Sequence, residues 1–307
     1  MNYLIVGGKA VLGQQAILAI RSEDPNAWIV STSSGEDDVP GADASIHGID
    51  LSVPSAAGKI AADFPDKLPA SKTDGNASHA SKHSGRELRA IVYVPARGPV
   101  GKPVQYATKE EYDESVNFSV RPMLELMHDL KPEIGLWFSG FMWLETLMML
   151  YGPMIYTKIT MEQITLKHPD KLKCVRYGMF VSNSARGISI LSQKAIASGK
   201  YPEQEEYRKG WKASGKKFKD FFASVNAREE ESVLRQQAAT SAPYRSLETE
   251  DLQIGVKKAL FSEDGPIINV VGDWYWQDDS MPNWPQAIRQ NLNLIDDDLE
   301  SLLDSDS

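Results

Sequence analysis

Short apolar runs bounded by glycine, proline or polar turns alternate along this chain with longer stretches in which apolar residues recur every three or four positions. Tyr3 to Val6 reads as a buried strand, and Leu12 to Arg21 as an amphipathic helix behind a glycine turn. Trp28 to Ser31 and "SIHGIDL" give two further strands, "RAIVYVPAR" a fourth, "IGLWFSG" a fifth and "KCVRYGMFVSNS" a sixth. "EEYDESVNFSVRPMLELMHDL" reads as one long helix, "GPMIYTKITMEQITLKH" as another, and "ETEDLQIGVKKALFSED" as a third before a last strand in "IINVVGDWYW". Apolar strands separated by amphipathic helices are the pattern of βαβ units whose sheet is covered on both faces. The chain is therefore expected to form an α/β, Rossmann-type fold, a doubly wound, seven-stranded parallel sheet flanked by helices.

One domain is expected over residues 1–276, with two interruptions. Residues 63–89 are rich in Ser, Lys, Gly and Pro and have no apolar period, which predicts a flexible insertion. His79 and His83 lie in it at i,i+4 spacing, but the surroundings favour no helix and offer no cysteine, so they read as solvated residues and no metal site is expected. Residues 185–245 are polar and helical in pattern. Residues 277–307 form an acidic C-terminal tail.

With 307 residues, 42% of them hydrophobic, the chain has enough apolar surface for a sizeable core. A formal charge of −9 argues against general binding to nucleic acid or to an anionic membrane surface, and points to a small-molecule partner. The single cysteine, Cys174, excludes an internal disulfide and reads as a core residue. The N-terminus lacks a signal-peptide pattern and no apolar run approaches the roughly 20 residues of a membrane span, so a cytoplasmic protein is expected.

"IVGGKAVLG" follows a strand and opens a helix, as a dinucleotide-binding turn requires, although a plain tight turn has the same look. Gly7 and Gly13 flank Lys9, Val11 and Leu12. Asp50, after the third strand, is placed to accept from an adenine amino group, with Leu51 against the ring. Val94, Pro95 and Ala96 end the fourth strand where the chain would pass under the adenosine ribose, and Asn117 lies in the middle of the following helix. Singly, these residues also suit a cap, a turn and a helix–helix hydrogen bond.

Together, and with the closing stretch "APYRSLETEDLQIGVKKALFSEDGPIINVVGDW", they make residues 2–276, outside the two interruptions, resemble the short-chain dehydrogenase/reductase superfamily. The Gly7-x5-Gly13 turn and the Tyr151-x6-Lys158 spacing are similar to its enoyl-acyl-carrier-protein reductase branch, from which the chain diverges. The resemblance implies an NAD(P)H-dependent reductase of an enoyl thioester or related activated C=C, with Tyr151 stabilising the enolate and Lys158 holding the nicotinamide ribose. On an ideal helix i and i+7 fall within about 20° of one another, so the pair would share a cleft. A carbonyl reductase and a catalytically degenerate cofactor-binding partner subunit stay open as alternatives, because Phe141 stands where the family carries a hydroxyl. Ser139 would substitute for it, and Phe141 and Met154 would border an acyl pocket.

The family's Pro-Gly turn after the sixth strand is here "VSNSARG", where Ser182 would serve the nicotinamide carboxamide. Lys9, Ser31 and Ser33 tilt the cofactor towards NADP(H) over NAD(H), while Glu36 and Asp37 pull the other way. The resemblance also implies that residues 185–245 form a lid over an acyl or carbonyl substrate. It implies a homo-oligomer, dimer or tetramer, paired through the helix carrying "MLELM". "KGWKASGKKFKDFF", residues 209–222, is basic and aromatic in an acidic chain, and reads either as a solvated helix face or as a dock for an acidic carrier protein or its phosphopantetheine arm.

Overall fold

The computed structural model describes residues 1–69, 87–296 and 298–303; most of the expected insertion, with His79 and His83, lies outside them. Strands β1 (Asn2–Val6), β2 (Trp28–Thr32), β3 (Ala44–Ile46), β4 (Leu88–Tyr93), β5 (Ile134–Gly140), β6 (Leu172–Tyr177), β7 (Ile267–Val271) and β8 (Trp274–Asp278) form one sheet in the order 3-2-1-4-5-6-7-8. All neighbours pair in parallel except β7 and β8. The order reverses between β1 and β4, which opens a crevice at the carboxyl ends of the strands, the usual ligand position in such sheets.

Eight strands form where seven were expected because "IINVVGDWYW" is a hairpin. Gly272 takes φ +54° at the first position of a two-residue turn, where a Cβ would collide with the Arg245 carbonyl, and Val271 pairs with Trp274. The alternation of that segment fits two short strands as well as one long one.

Helices α1 (Val11–Glu23), α2 (Ala56–Asp63), α3 (Lys109–Ser119), α4 (Arg121–Leu130), α5 (Glu145–Met148), α6 (Met154–Lys167), α7 (Asn183–Ser198), α8 (Glu205–Ser214), α9 (Phe218–Ala238), α10 (Leu252–Phe261) and α11 (Gln286–Arg289) complete the fold. The apolar stripes of α1 and α10 cover one face of the sheet. Those of α2, α3, α4 and α6 cover the other, where Cys174 is fully buried. The single long helix expected over 110–130 is broken at Val120. Pro122 has no N–H for the carbonyl of Phe118, and that carbonyl instead accepts from the hydroxyl of Tyr93 at 2.6 Å. Helices α7, α8 and α9 form the layer that follows β6. Among the described residues no helix is long and apolar enough to cross a membrane.

After β8 the chain returns across the outside of α3, α4 and α6. Trp284, Ile288 and Leu299 are buried there against Tyr112, Val116, Leu126, Tyr156 and Ile159. Polar contacts register the segment: the Tyr156 hydroxyl donates to the Ile288 carbonyl at 3.1 Å, Asn291 donates to the Gln105 carbonyl at 3.0 Å, and Lys167 pairs with Glu300 at 2.8 Å. The apolar "MLELM" of α4 is thus covered within one chain. Ile288→Ala, at a site with no solvent exposure, should cost about 2–5 kcal/mol of unfolding free energy, measured by urea denaturation.

Candidate active site

The β1–α1 turn is built on three glycines. Gly7 takes φ +84°, a region open to glycine. A Cβ on Gly13 would lie 2.6 Å from the Gly7 carbonyl, and one on Gly8 would strike Ser31 Oγ. Small residues therefore bring the start of α1 hard against the end of β1. The helix opens at Ala10 without a side-chain cap, so the N–H groups of Val11, Leu12 and Gly13 stay available to an anion. Lys9 stands exposed beside the turn, 3.9 Å from Asp37. Gly8 occupies no spaced motif position, so the sequence gives no signal for it; its neighbour across the sheet, Ser31, supplies the reason for it.

Ser31 and Ser33 are not free to hold a ribose phosphate. Ser31 Oγ is fully buried and donates to the Ile5 carbonyl at 2.8 Å. Ser33 is buried as well, and its hydroxyl accepts from the Gly35 N–H at 3.3 Å. Alternation along β2 turns Ser31 inward beneath the glycine turn. The exposed rim at this point carries Ser34, Glu36 and Asp37.

At the adenosine end, one Asp50 oxygen accepts from the backbone N–H and hydroxyl of Ser52, at 2.9 and 2.6 Å. Those bonds hold its carboxyl below the usual range. Leu51 lines a cleft of about 520 Å³ with Arg97, Asn117, Phe118 and Arg121. Asn117 faces solvent and binds Arg121 at 3.0 Å; the residues of α3 that face α6 include Tyr112, hydrogen-bonded to Thr160 at 2.9 Å, and Ser115, whose hydroxyl accepts from Thr157 at 2.8 Å. Pro95 rests on Gly7, and the Val94 N–H donates to the Val6 carbonyl at 3.1 Å, with Ala96 exposed beyond them.

On the far side of the switch point, Lys158 of α6 reaches the carboxyl end of β5. Its ammonium donates to the Phe138 carbonyl at 2.7 Å. Burial pulls its pKa down to about 8, against the attraction of the neighbouring Glu162. The hydroxyl of Tyr151 makes no hydrogen bond among the described residues, and none joins it to Lys158. Its ring packs between the main core and the apolar cluster of Leu150, Ile196 and Phe218, and burial pushes its pKa up to about 12. Tyr151 lies before α6 and its backbone pairs with Lys102, so the i,i+7 argument for an ideal helix does not reach it.

Ser139 does not replace the hydroxyl missing at Phe141. β5 ends at Gly140, so the alternation that would put both residues on one face stops between them. Ser139 instead donates to Glu162 at 2.6 Å. Glu162 is buried with Arg176 of β6, which it meets through two bonds of 2.7 and 2.9 Å, and Arg176 continues to Asp278 and Asn269. Phe141 stacks on Trp276 with ring centroids 5.4 Å apart, and is core rather than pocket. Met154 is buried beneath Gly98, its sulfur 3.1 Å from the Ser115 hydroxyl. Ser182 caps α7 by accepting from the Ala185 N–H at 3.0 Å. Among the described residues no cluster of His, Cys, Asp and Glu could hold a metal ion.

No protein-family profile matches the chain, and no curated protein sequence matches it. Solved structures do. A complex of Pseudomonas aeruginosa RhlG with NADP is 12% identical, with a TM-score of 0.53, covering 89% of this chain and 95% of its own. The KRED1-Pglu enzyme is 11% identical with a TM-score of 0.53, covering 90% and 98%. A short chain dehydrogenase/reductase family protein is 12% identical with a TM-score of 0.50, covering 88% and 95%. At these identities the likeness is one of fold: the chain shares the doubly wound α/β fold of short-chain dehydrogenase/reductase structures across most of its length.

Proposed function

We propose that the chain is an NAD(P)H-dependent reductase of the short-chain type, acting on an activated carbon–carbon double bond such as an enoyl thioester. The observation that carries this reading is the pairing of two features across one crevice: the crowded glycine turn at β1 and the desolvated ammonium of Lys158 at β5. The residues fit a dinucleotide. Val11, Leu12 and Gly13 would hold its pyrophosphate, Asp50 and Leu51 its adenine, and Lys158 its nicotinamide ribose; the bound nicotinamide supplies hydride. Tyr151, kept protonated by burial, would donate a hydrogen bond to the thioester oxygen as negative charge develops there. With Ser31 and Ser33 engaged, preference for NADPH over NADH rests on Lys9 and is opposed by Asp37 and Glu36.

A second reading, a cofactor-binding subunit without turnover, is favoured by the engagement of Ser139 with Glu162 and by Phe141 where a hydroxyl would otherwise stand. Fluorescence titration with NADPH and NADH, followed by assays on crotonyl and acetoacetyl thioesters, separates the two. The reductase reading expects crotonyl reduction, lowered about 10²–10³-fold in kcat by Tyr151→Phe. Binding without turnover of either substrate would establish the second reading, and no binding would remove both.

The charge on Lys158 gives a pH signature. Its ammonium is present below about 8 and is lost as pH rises through that value, whereas Tyr151 stays protonated to about 12. The rate kcat/KM should therefore fall on the basic side near pH 8, and Lys158→Arg should move that limb to higher pH. A limb unchanged by the substitution would assign it to another group.

Substrate delivery is proposed to use the exposed lysines at the α8–α9 turn and the start of α9. Lys216, Lys217 and Lys219 are exposed and ion-pair with no described residue, while Phe218 beneath them is buried. Reversing the three to Glu should raise KM for a carrier-bound thioester and leave a short thioester unaffected; equal effects on both would exclude docking at this surface.

A further inference from the structure

Helix α9 carries two adjacent carboxylates that grip backbone N–H groups at the carboxyl ends of β5 and β6. Glu229 accepts from the N–H groups of Glu145 and Thr146, the latter at 3.0 Å. Glu230 reaches the turn after β6. It is 2% exposed, and its Oε1 accepts from the Met179 N–H at 2.7 Å and from Asn226 at 2.9 Å, while Oε2 accepts from the Tyr244 hydroxyl at 2.8 Å. A Cβ on Gly178 would lie 3.3 Å from both carboxylate oxygens, so the side chain lies flat against that turn. No cation pairs with Glu230 among the described residues, and burial raises its pKa. A buried acid without a cation is a costly arrangement, tolerated where its hydrogen bonds are specific.

The position matters. Met179 follows β6 by two residues, at the edge of the crevice where a doubly wound sheet receives its ligand. Any ligand acceptor that takes this N–H, on the same side of the switch point as Lys158, must compete with Glu230 for it. We propose that Glu230 is an internal ligand of this turn, which the cofactor must displace, so that α9 sets the affinity of the crevice for NAD(P)H. The proposal rests on the dinucleotide reading of the site. Displacement exchanges one acceptor for another at Met179 and frees α9 at that end, so the apo chain is closed over its own site and the loaded chain is open there.

The test compares dissociation constants for NADPH, by fluorescence titration, of wild type, Glu230→Ala, Glu230→Gln and Glu229→Ala, each first shown by thermal melting to be folded. Glu230→Ala is expected to bind about tenfold more tightly, within the usual range of coupling between sites. Glu230→Gln, which keeps an acceptor oxygen but loses the charge, should fall between it and wild type, and it carries the test alone if the alanine variant does not fold. Glu229→Ala, which loosens α9 without touching Met179, should stay near wild type. Unchanged or weaker binding by both Glu230 variants, with wild type binding, overturns the internal ligand and leaves the dinucleotide reading standing. Equal tightening by Glu229→Ala also overturns it, as general loosening of α9. Absence of binding in all four proteins overturns both.

Discussion

The bidentate pair between Glu162 and Arg176 holds the Lys158 side of this fold in place. Both groups are removed from water, so each depends on the other and on Ser139, Asn269 and Asp278 for its hydrogen bonds. The pair ties α6 to β6, and through Asp278 to the edge strand β8. Lys158 stands one helical turn before Glu162 on the same helix face, and its position at the end of β5 follows from that tie. Replacing the network with apolar residues would keep the layers together but would leave the register of α6 on the sheet less strictly defined. Ser139 belongs to this network, which is why a serine near the end of β5 serves the scaffold here.

Much of the fold is legible in the sequence because it rests on local patterns. The apolar strands, the amphipathic helices α1, α6 and α10, and the glycine turn all declare themselves within ten or fifteen residues. The departures arise where a distant group decides the outcome. Pro122 ends α3 because Tyr93, on a strand nearly thirty residues earlier, can take the carbonyl it orphans. The hairpin at Gly272 exists because Arg245 leaves no room for a side chain there.

In the candidate site, backbone position is legible in the sequence and side-chain partnership is not. Gly7, Gly13, Asp50 and Lys158 occupy positions set by the strands they adjoin, and their order along the chain fixes their order along the crevice. Ser31, Ser139, Phe141 and Met154 were judged by residue type and spacing, and which partner each finds depends on side-chain direction. Glu230 gives no local signal at all. It sits in a polar helix among other glutamates, and only the packing of α9 on β6 distinguishes it from a solvated residue.

The segment after β8 has a consequence for how the chain reaches its native state. Trp284, Ile288 and Leu299 are made well after α3, α4 and α6 are complete, yet they cover them. During synthesis the outer surface of those helices is therefore an apolar face with nothing on it, a situation in which nascent chains meet chaperones or one another. The segment after β8 acts as a seal, so that those helices are protected from such encounters only once it has been made and has folded back on them.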